Sequence, residues 1–169
     1  MADRVTDKAS FLLGERLRSS GKTLAVAESC TGGLLAGAVT SIPGSSDYFV
    51  GGIVAYRNAV KTDALGVPSR LIASRGAVSG EVALAMAEGA LERFTADMSI
   101  ATTGVAGPGG GSREKPRGTV WVAVAVRGGV RYSHRFRFRG DREKVRRETV
   151  LASLAAASEL LSGKGSGAG

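Results

Sequence analysis

The chain has 169 residues, 43% of them apolar, and a formal charge of +8. This length suits one domain with a sizeable core, and the composition excludes an intrinsically disordered chain. No apolar stretch approaches the roughly 18 residues of a membrane span, and acids stand in Met1-Ala-Asp-Arg-Val-Thr-Asp-Lys8 where a secretory signal would be basic, so a cytoplasmic protein with no membrane partner is expected.

Val5, Ala9, Leu13 and Leu17 recur every four residues with Leu12 beside them, and Gly21 ends the pattern, which predicts an amphipathic first helix. Thr23 to Ala27 reads as a short buried strand, and Leu34 to Thr40 as a helix ended by Pro43-Gly44. Tyr48 to Tyr56 is rich in β-branched and aromatic residues and reads as a strand, with Gly51-Gly52 marking a bulge or a close approach. Asn58 to Leu65 reads as a short helix that carries Lys61 about one turn in. Ser79 opens a longer helix with Ala83, Met86, Ala87, Ala90, Leu91 and Phe94 on one face.

Met98 to Thr103 reads as a strand running into a long loop, Gly104 to Gly118, which holds Pro108 and Pro116. A loop of this length in a compact domain marks a functional or mobile segment. It is not a P-loop, because no Gly-Lys-Ser/Thr ends it. Thr119 to Val126 and Val130 to Phe138 form a predicted hairpin across Arg127-Gly-Gly, and Asp141 caps a final helix through Leu161. The Gly/Ser-rich tail, Ser162 to Gly169, is expected to be disordered. Helices interleaved with strands, then a late hairpin, predict a three-layer α/β/α sandwich with a mixed, mostly parallel sheet, as one domain over residues 1–161.

Most of the excess charge lies in one region. Between Arg127 and Arg147, eight arginines and one lysine stand against Asp141 and Glu143. In Tyr132 to Arg139 the arginines alternate with Phe136 and Phe138, as on a half-buried strand with one solvated face. Contact with a phosphorylated ligand or with nucleic acid is the alternative reading of that cluster, and nucleic acid is the least favoured.

The segment Ala25-Val-Ala-Glu-Ser29-Cys30-Thr31-Gly32-Gly33 carries the chemistry. Its order is strand, tight turn, helix, with hydroxyl and thiol groups at the turn. A helix start offers free N–H groups, and Gly32 and Gly33 would let an anion or a developing oxyanion approach them. Ser29 is therefore a candidate nucleophile; the alternative is that Ser29 or Thr31 only caps the helix. Cys30 is the only cysteine and His134 the only histidine, so neither an intrachain disulfide nor an ordinary zinc site is available, and no cofactor is expected. A metal-free serine nucleophile needs a base and oxyanion donors beside it. Taken alone, Lys61 reads first as a solvated surface lysine; it can serve as base if burial depresses its pKa, and Tyr56 could then hydrogen-bond Lys61 or Ser29 and relay a proton.

Glu28-Ser-Cys-Thr-Gly-Gly33, Tyr56-Arg-Asn58-Ala-Val-Lys61, Thr103-Gly-Val-Ala-Gly-Pro108 and Gly140-Asp-Arg142-Glu-Lys-Val-Arg146 together resemble the CinA C-terminal family, over about Val5 to Leu161. The resemblance implies a nicotinamide-nucleotide amidohydrolase that deamidates nicotinamide mononucleotide to nicotinic acid mononucleotide plus ammonia, in pyridine nucleotide salvage. It implies Ser29 as nucleophile and Lys61 as base; a base in that role should stand within about 3.2 Å of the Ser29 hydroxyl, or one water away. Thr31, Thr103 and Arg146 match further pocket positions; Gly32, Gly33, Asn58, Gly104 and Arg142 complete the candidate substrate-binding set. Arg142 and Arg146, four residues apart, share a helix face and suit a 5′-phosphate or a carboxylate. The resemblance also implies a homodimer, for which the strand Tyr132 to Phe138 is a candidate interface. An N-terminal nucleotide-processing domain often found in the family has no counterpart in this sequence, so its activity is not expected. Two rival readings stand beside this one: a Cys30 hydrolase with His134 as base, and a non-enzymatic competence-linked module that binds nucleic acid or a partner through Arg127 to Arg147.

Overall fold

Leu24–Glu28 (β1) is buried along its whole length because it is an inner strand of a five-stranded sheet, and its apolar run leaves no polar face. The structure is a computed structural model that describes residues 4–162. The glycine- and serine-rich tail from residue 163 onward thus lies outside the described residues, while Ser162 still caps the last helix. The other strands are Phe49–Val54 (β2), Met98–Gly104 (β3), Thr119–Val126 (β4) and Arg131–Arg137 (β5), in the order β2-β1-β3-β4-β5.

β1 runs parallel to both β2 and β3, whereas β3 with β4 and β4 with β5 are antiparallel. The sheet is mixed as expected, but parallel and antiparallel pairs divide it evenly. The long loop after β3 returns β4 alongside it without a helical crossover, which is why the second half of the sheet reverses direction.

Helices cover both faces. Arg4–Ser20 (α1), Leu34–Thr40 (α2) and Arg142–Leu161 (α6) enclose one core with Leu13, Leu17, Leu35, Ile100, Val122 and Leu154. Asn58–Leu65 (α3), Ser69–Arg75 (α4) and Gly80–Arg93 (α5) enclose the other with Leu65, Val82, Met86 and Leu91. This is the three-layer α/β/α sandwich. The seven residues of α4 are too few to show a period, so its apolar pair Leu71-Ile72, packed against the second core, gave no helix signal.

The Gly51-Gly52 expectation resolves into both of its alternatives. Leu24 pairs with Phe49 but Ala25 with Gly51, so Val50 is the extra residue of a bulge. A Cβ on Gly52 would lie 2.4 Å from Val26 Cγ2, so the neighbouring strand leaves no room for a side chain.

On β5 the side chains alternate as the sequence implies. His134, Phe136 and Phe138 form a ladder, with ring centroids 4.7 and 5.3 Å apart. On the opposite face Arg131 pairs with Glu88, and Arg135 donates to the Glu114 carbonyl. No described helix is long and apolar enough to cross a membrane.

The functional consequence of this topology lies at one end of the sheet. The parallel strands β1, β2 and β3 all finish at the same edge, where α/β folds commonly place their ligands. Two backbone bonds staple that edge: Ser29 N–H donates to the Thr102 carbonyl at 3.0 Å, and Ala55 N–H to the Glu28 carbonyl at 2.7 Å.

Candidate active site

Ser29 follows the last residue of β1 and faces a cleft of about 210 Å³ at this edge. The lining includes Ser29, Cys30, Tyr56, Asn58, Lys61, Thr103, Gly104 and Arg142, together with Ala77, Val78 and Ala106. The expected set is thus brought together in part: Thr31, Gly32, Gly33 and Arg146 do not line the cleft.

Lys61 reaches the site because it shares the inner face of α3 with Leu65, one turn further on. Its side chain is only 1% exposed. Nζ lies 3.2 Å from Ser29 Oγ, 2.8 Å from the Ala55 carbonyl and 3.3 Å from the Tyr56 carbonyl. Burial holds its pKa below the ordinary value of 10.5. Those partners also orient the neutral amine. An uncharged amine has two N–H bonds and one lone pair. The charged amine donates to Ser29 Oγ; once uncharged, with both hydrogens directed to the two carbonyls, its lone pair would face the Ser29 hydroxyl.

Tyr56 takes a different part from the relay suggested by sequence. Its carbonyl, not its phenol, meets Lys61. The side chain is 57% exposed and turns outward, where Arg142 Nη2 donates to its hydroxyl at 3.1 Å. The strand stops at Val54, two residues earlier than expected, and that shift frees the Tyr56 backbone to accept from the lysine. Thr103 is buried and donates its hydroxyl to the Ala77 carbonyl at 2.8 Å, which fixes the wall formed by Ala77 and Val78.

The turn after Ser29 is built differently from a helix start that waits for an external anion. Glu28, itself 1% exposed, accepts from the amides of Gly33, Leu35 and Ala36 at 2.9, 3.1 and 2.8 Å. The chain's own carboxylate therefore occupies the positive end of α2. Gly32 N–H donates to the Ser29 carbonyl at 3.1 Å. Neither glycine amide is left for an oxyanion, which corrects the role expected for Gly32 and Gly33. The helix N-cap is Gly33, and the carboxylate that takes the first amides comes from Glu28, so neither Ser29 nor Thr31 is a cap. Among the described residues, no backbone carbonyl or carboxylate takes the N–H of Cys30, which adjoins Ser29, lines the cleft and has its own thiol beside it.

Thr31 is fully buried, with its hydroxyl 2.8 Å from that of Thr102, so it ties the turn to β3. Arg146 grips the turn from the other side. Its Nε donates to the Cys30 carbonyl at 3.2 Å and Nη2 to the Thr31 carbonyl at 2.9 Å. It lines a separate groove between α1, α2 and α6. Ligand contact expected for Arg146 thus gives way to support of the turn. Arg146→Ala should lower kcat by about tenfold or more with little change in KM, because two charge-assisted bonds that hold the turn after Ser29 are lost. Steady-state kinetics checks this, and a rise in KM alone would contradict it.

Cys30 is buried, and burial pushes its thiol up to about 12. A thiol so poised is protonated and a poor nucleophile near neutral pH. His134 stands on β5 against Phe136 and is absent from the cleft lining. Cys30→Ala is expected to keep most of the activity; if it removed turnover while Ser29→Ala did not, the nucleophile would be the thiol.

Sequence reasoning missed Glu28, the carbonyls of Ala55 and Tyr56, and the Ala77-Val78 wall. Glu28 alone had a readable signal, a carboxylate between a strand end and a glycine-led helix. Backbone carbonyls leave no trace in residue type.

With this geometry in hand, the chain can be set beside known proteins. A family model of the CinA C-terminal domain matches residues 6–161. A CinA-like protein of Desulfotalea psychrophila is 51% identical over 148 residues, covering 88% of this chain and 36% of that protein. A CinA-like protein of Mycolicibacterium gilvum is 49% identical over 161 residues, covering 95% of this chain and 37% of that protein. The chain therefore spans little more than a third of the length of these relatives. The crystal structure of the competence/damage inducible protein of Agrobacterium tumefaciens superposes with a TM-score of 0.92 at 40% identity, covering 96% of this chain and 98% of that one. A CinA superfamily protein of Klebsiella pneumoniae superposes with a TM-score of 0.90 at 35% identity, covering 94% and 98%. Sequence and fold agree over nearly the whole described length: the chain belongs to the CinA C-terminal domain family.

Proposed function

We propose that this domain is a Ser/Lys amidohydrolase acting on nicotinamide mononucleotide, without a metal or cofactor. The observation that carries the reading is the buried Lys61 amine, held by two carbonyls 3.2 Å from the Ser29 hydroxyl. A buried lysine without a carboxylate partner is rare in a structural role, and a depressed pKa is what a general base requires.

The reaction follows from the roles. Ser29 Oγ attacks the carboxamide carbon as Lys61 takes the hydroxyl proton. The Cys30 N–H is the first donor available to the oxyanion, as the amide after a nucleophile commonly is. Collapse passes the proton from Lys61 to the departing nitrogen, releases ammonia and leaves a nicotinoyl ester on Ser29. Water, deprotonated by the same amine, then frees the carboxylate and restores the hydroxyl. The balance is amide plus water to acid plus ammonia.

The cleft size supports a small aromatic amide as the group bound deepest. At about 210 Å³ it is below the roughly 300–1,000 Å³ of pockets that engulf drug-sized ligands, so the ribose phosphate extends to the mouth. The test is incubation of the purified chain with nicotinamide mononucleotide, followed by chromatography. Nicotinic acid mononucleotide as product supports the reading. Free nicotinamide plus ribose 5-phosphate would mean cleavage of the glycosidic bond instead and overturn it.

The cation-rich β5 is the observation behind a binding module, but Arg131 and Arg135 are committed to Glu88 and the Glu114 carbonyl. The homodimer stays part of the proposal, with β5 as an edge strand able to meet a second copy.

A further inference from the structure

Two arginines from distant parts of the chain converge on Gly107. Arg142, at the start of α6, donates from Nη1 to the Gly107 carbonyl at 2.8 Å. The side chain of Arg117, at the end of the long loop, lies across the same residue. A Cβ on Gly107 would stand 2.4 Å from Arg117 Cδ and 3.6 Å from Nε. Gly107 has φ +89°, so its glycine both permits the turn and makes room for the arginine stem.

Among the described residues, neither guanidinium forms an ion pair. The acids nearest in sequence are otherwise engaged or turned elsewhere. Asp141 accepts the Lys144 N–H as the cap of α6, Glu114 accepts the Ser112 hydroxyl, and Glu143 lines grooves on the outer side of α6. Both side chains are exposed and neither meets a carboxylate, so an anion beside Gly107 would gain charge-assisted hydrogen bonds from guanidinium donors that no acid occupies. Gly107 also adjoins Ala106, which lines the Ser29–Lys61 cleft with Arg142.

We infer that Arg117 and Arg142 form an anion subsite at the Gly107 corner that takes the phosphate monoester of the substrate, an assignment that rests on the mononucleotide amidase reading. A cleft filled by the aromatic amide leaves the phosphate at the mouth, beside this corner. The subsite makes the enzyme selective for a phosphorylated nucleoside over the free nucleoside. Arg117 is the specificity-determining member, since Arg142 also holds Tyr56.

The test uses Arg117→Ala, a change at an exposed side chain that leaves the core untouched. KM is measured for nicotinamide mononucleotide and for nicotinamide riboside, and calorimetry measures the Kd of ribose 5-phosphate. The expected result is a rise of about tenfold in KM for the mononucleotide and in Kd for ribose 5-phosphate, with kcat and the riboside KM unchanged. Arg117→Lys should recover part of the loss, because one charge remains without the planar fork. Equal KM changes for both substrates, or ribose 5-phosphate binding that ignores residue 117, would overturn the subsite. If no form releases ammonia, the amidase reading fails, and the ribose 5-phosphate measurement alone decides the subsite.

Discussion

Ser29→Ala should lower kcat on nicotinamide mononucleotide by about 10⁴-fold or more while leaving the protein folded, as measured by ammonia release and thermal unfolding. The size follows from removing the only group that forms the covalent bond; in enzymes whose catalytic groups act as a unit, loss of the nucleophile costs nearly the whole chemical acceleration. The fold should tolerate the change because the hydroxyl carries no structural duty. Glu28 holds the start of α2, Arg146 and Thr31 hold the turn, and the Ser29 amide is fixed by Thr102 through the backbone. Lys61 would keep its two carbonyl partners. A variant with more than about a tenth of wild-type turnover would remove Ser29 from the mechanism.

Lys61→Arg should be nearly as damaging, by about 10³-fold or more, although it keeps the charge. A guanidinium does not lose its proton at working pH, and it is bulkier than the amine that the Ala55 and Tyr56 carbonyls enclose. In the wild type, kcat/KM should rise with pH through an apparent pKa below the ordinary lysine value of 10.5, since the deprotonated amine is the active form. Stability carries the same signature. Between the depressed folded pKa and 10.5 the unfolded chain binds a proton that the folded chain does not, so stability rises with pH across that window and falls as pH drops through it. Lys61→Met should lose that slope in denaturant titrations at several pH values. A Lys61→Arg enzyme with ordinary turnover, or a slope unchanged in Lys61→Met, would take the base role away from lysine.

The elements that the sequence shows best are those with a period or an abrupt stop. The bounds of Leu34–Thr40 and Asn58–Leu65 coincide with expectation: Gly66 caps the second, and the first stops at Ser41, two residues before Pro43. The helix after Ser79 could be read from its cap and its alanine-rich face. Helix α4 could not, because one turn and a half gives no pattern and its stability comes from packing on α5. The even split of parallel and antiparallel pairs depends on where the chain goes after a long loop, which no local pattern encodes.

At the site, Ser29 and Lys61 were legible as residue types in a motif, and the fold brings them into contact. The allocation of the charged groups was not legible. Arg142 and Arg146 share a face in the sequence, yet one turn of helix sends the first to the cleft mouth and the second to the back of the nucleophile's turn. Glu28 stood just past the expected strand and proved to be both its last residue and the carboxylate at the start of α2. Such distinctions depend on which carbonyls and amides lie within 3 Å, and only the folded backbone supplies them.

The central claim is that Ser29 and Lys61 hydrolyse the amide of nicotinamide mononucleotide. Its most direct test is ammonia release from that compound by the purified wild type and by Ser29→Ala, side by side. The expected result is one ammonia per mononucleotide consumed by the wild type and none above background from the variant. No ammonia from the folded wild type, or equal release by both, would contradict it.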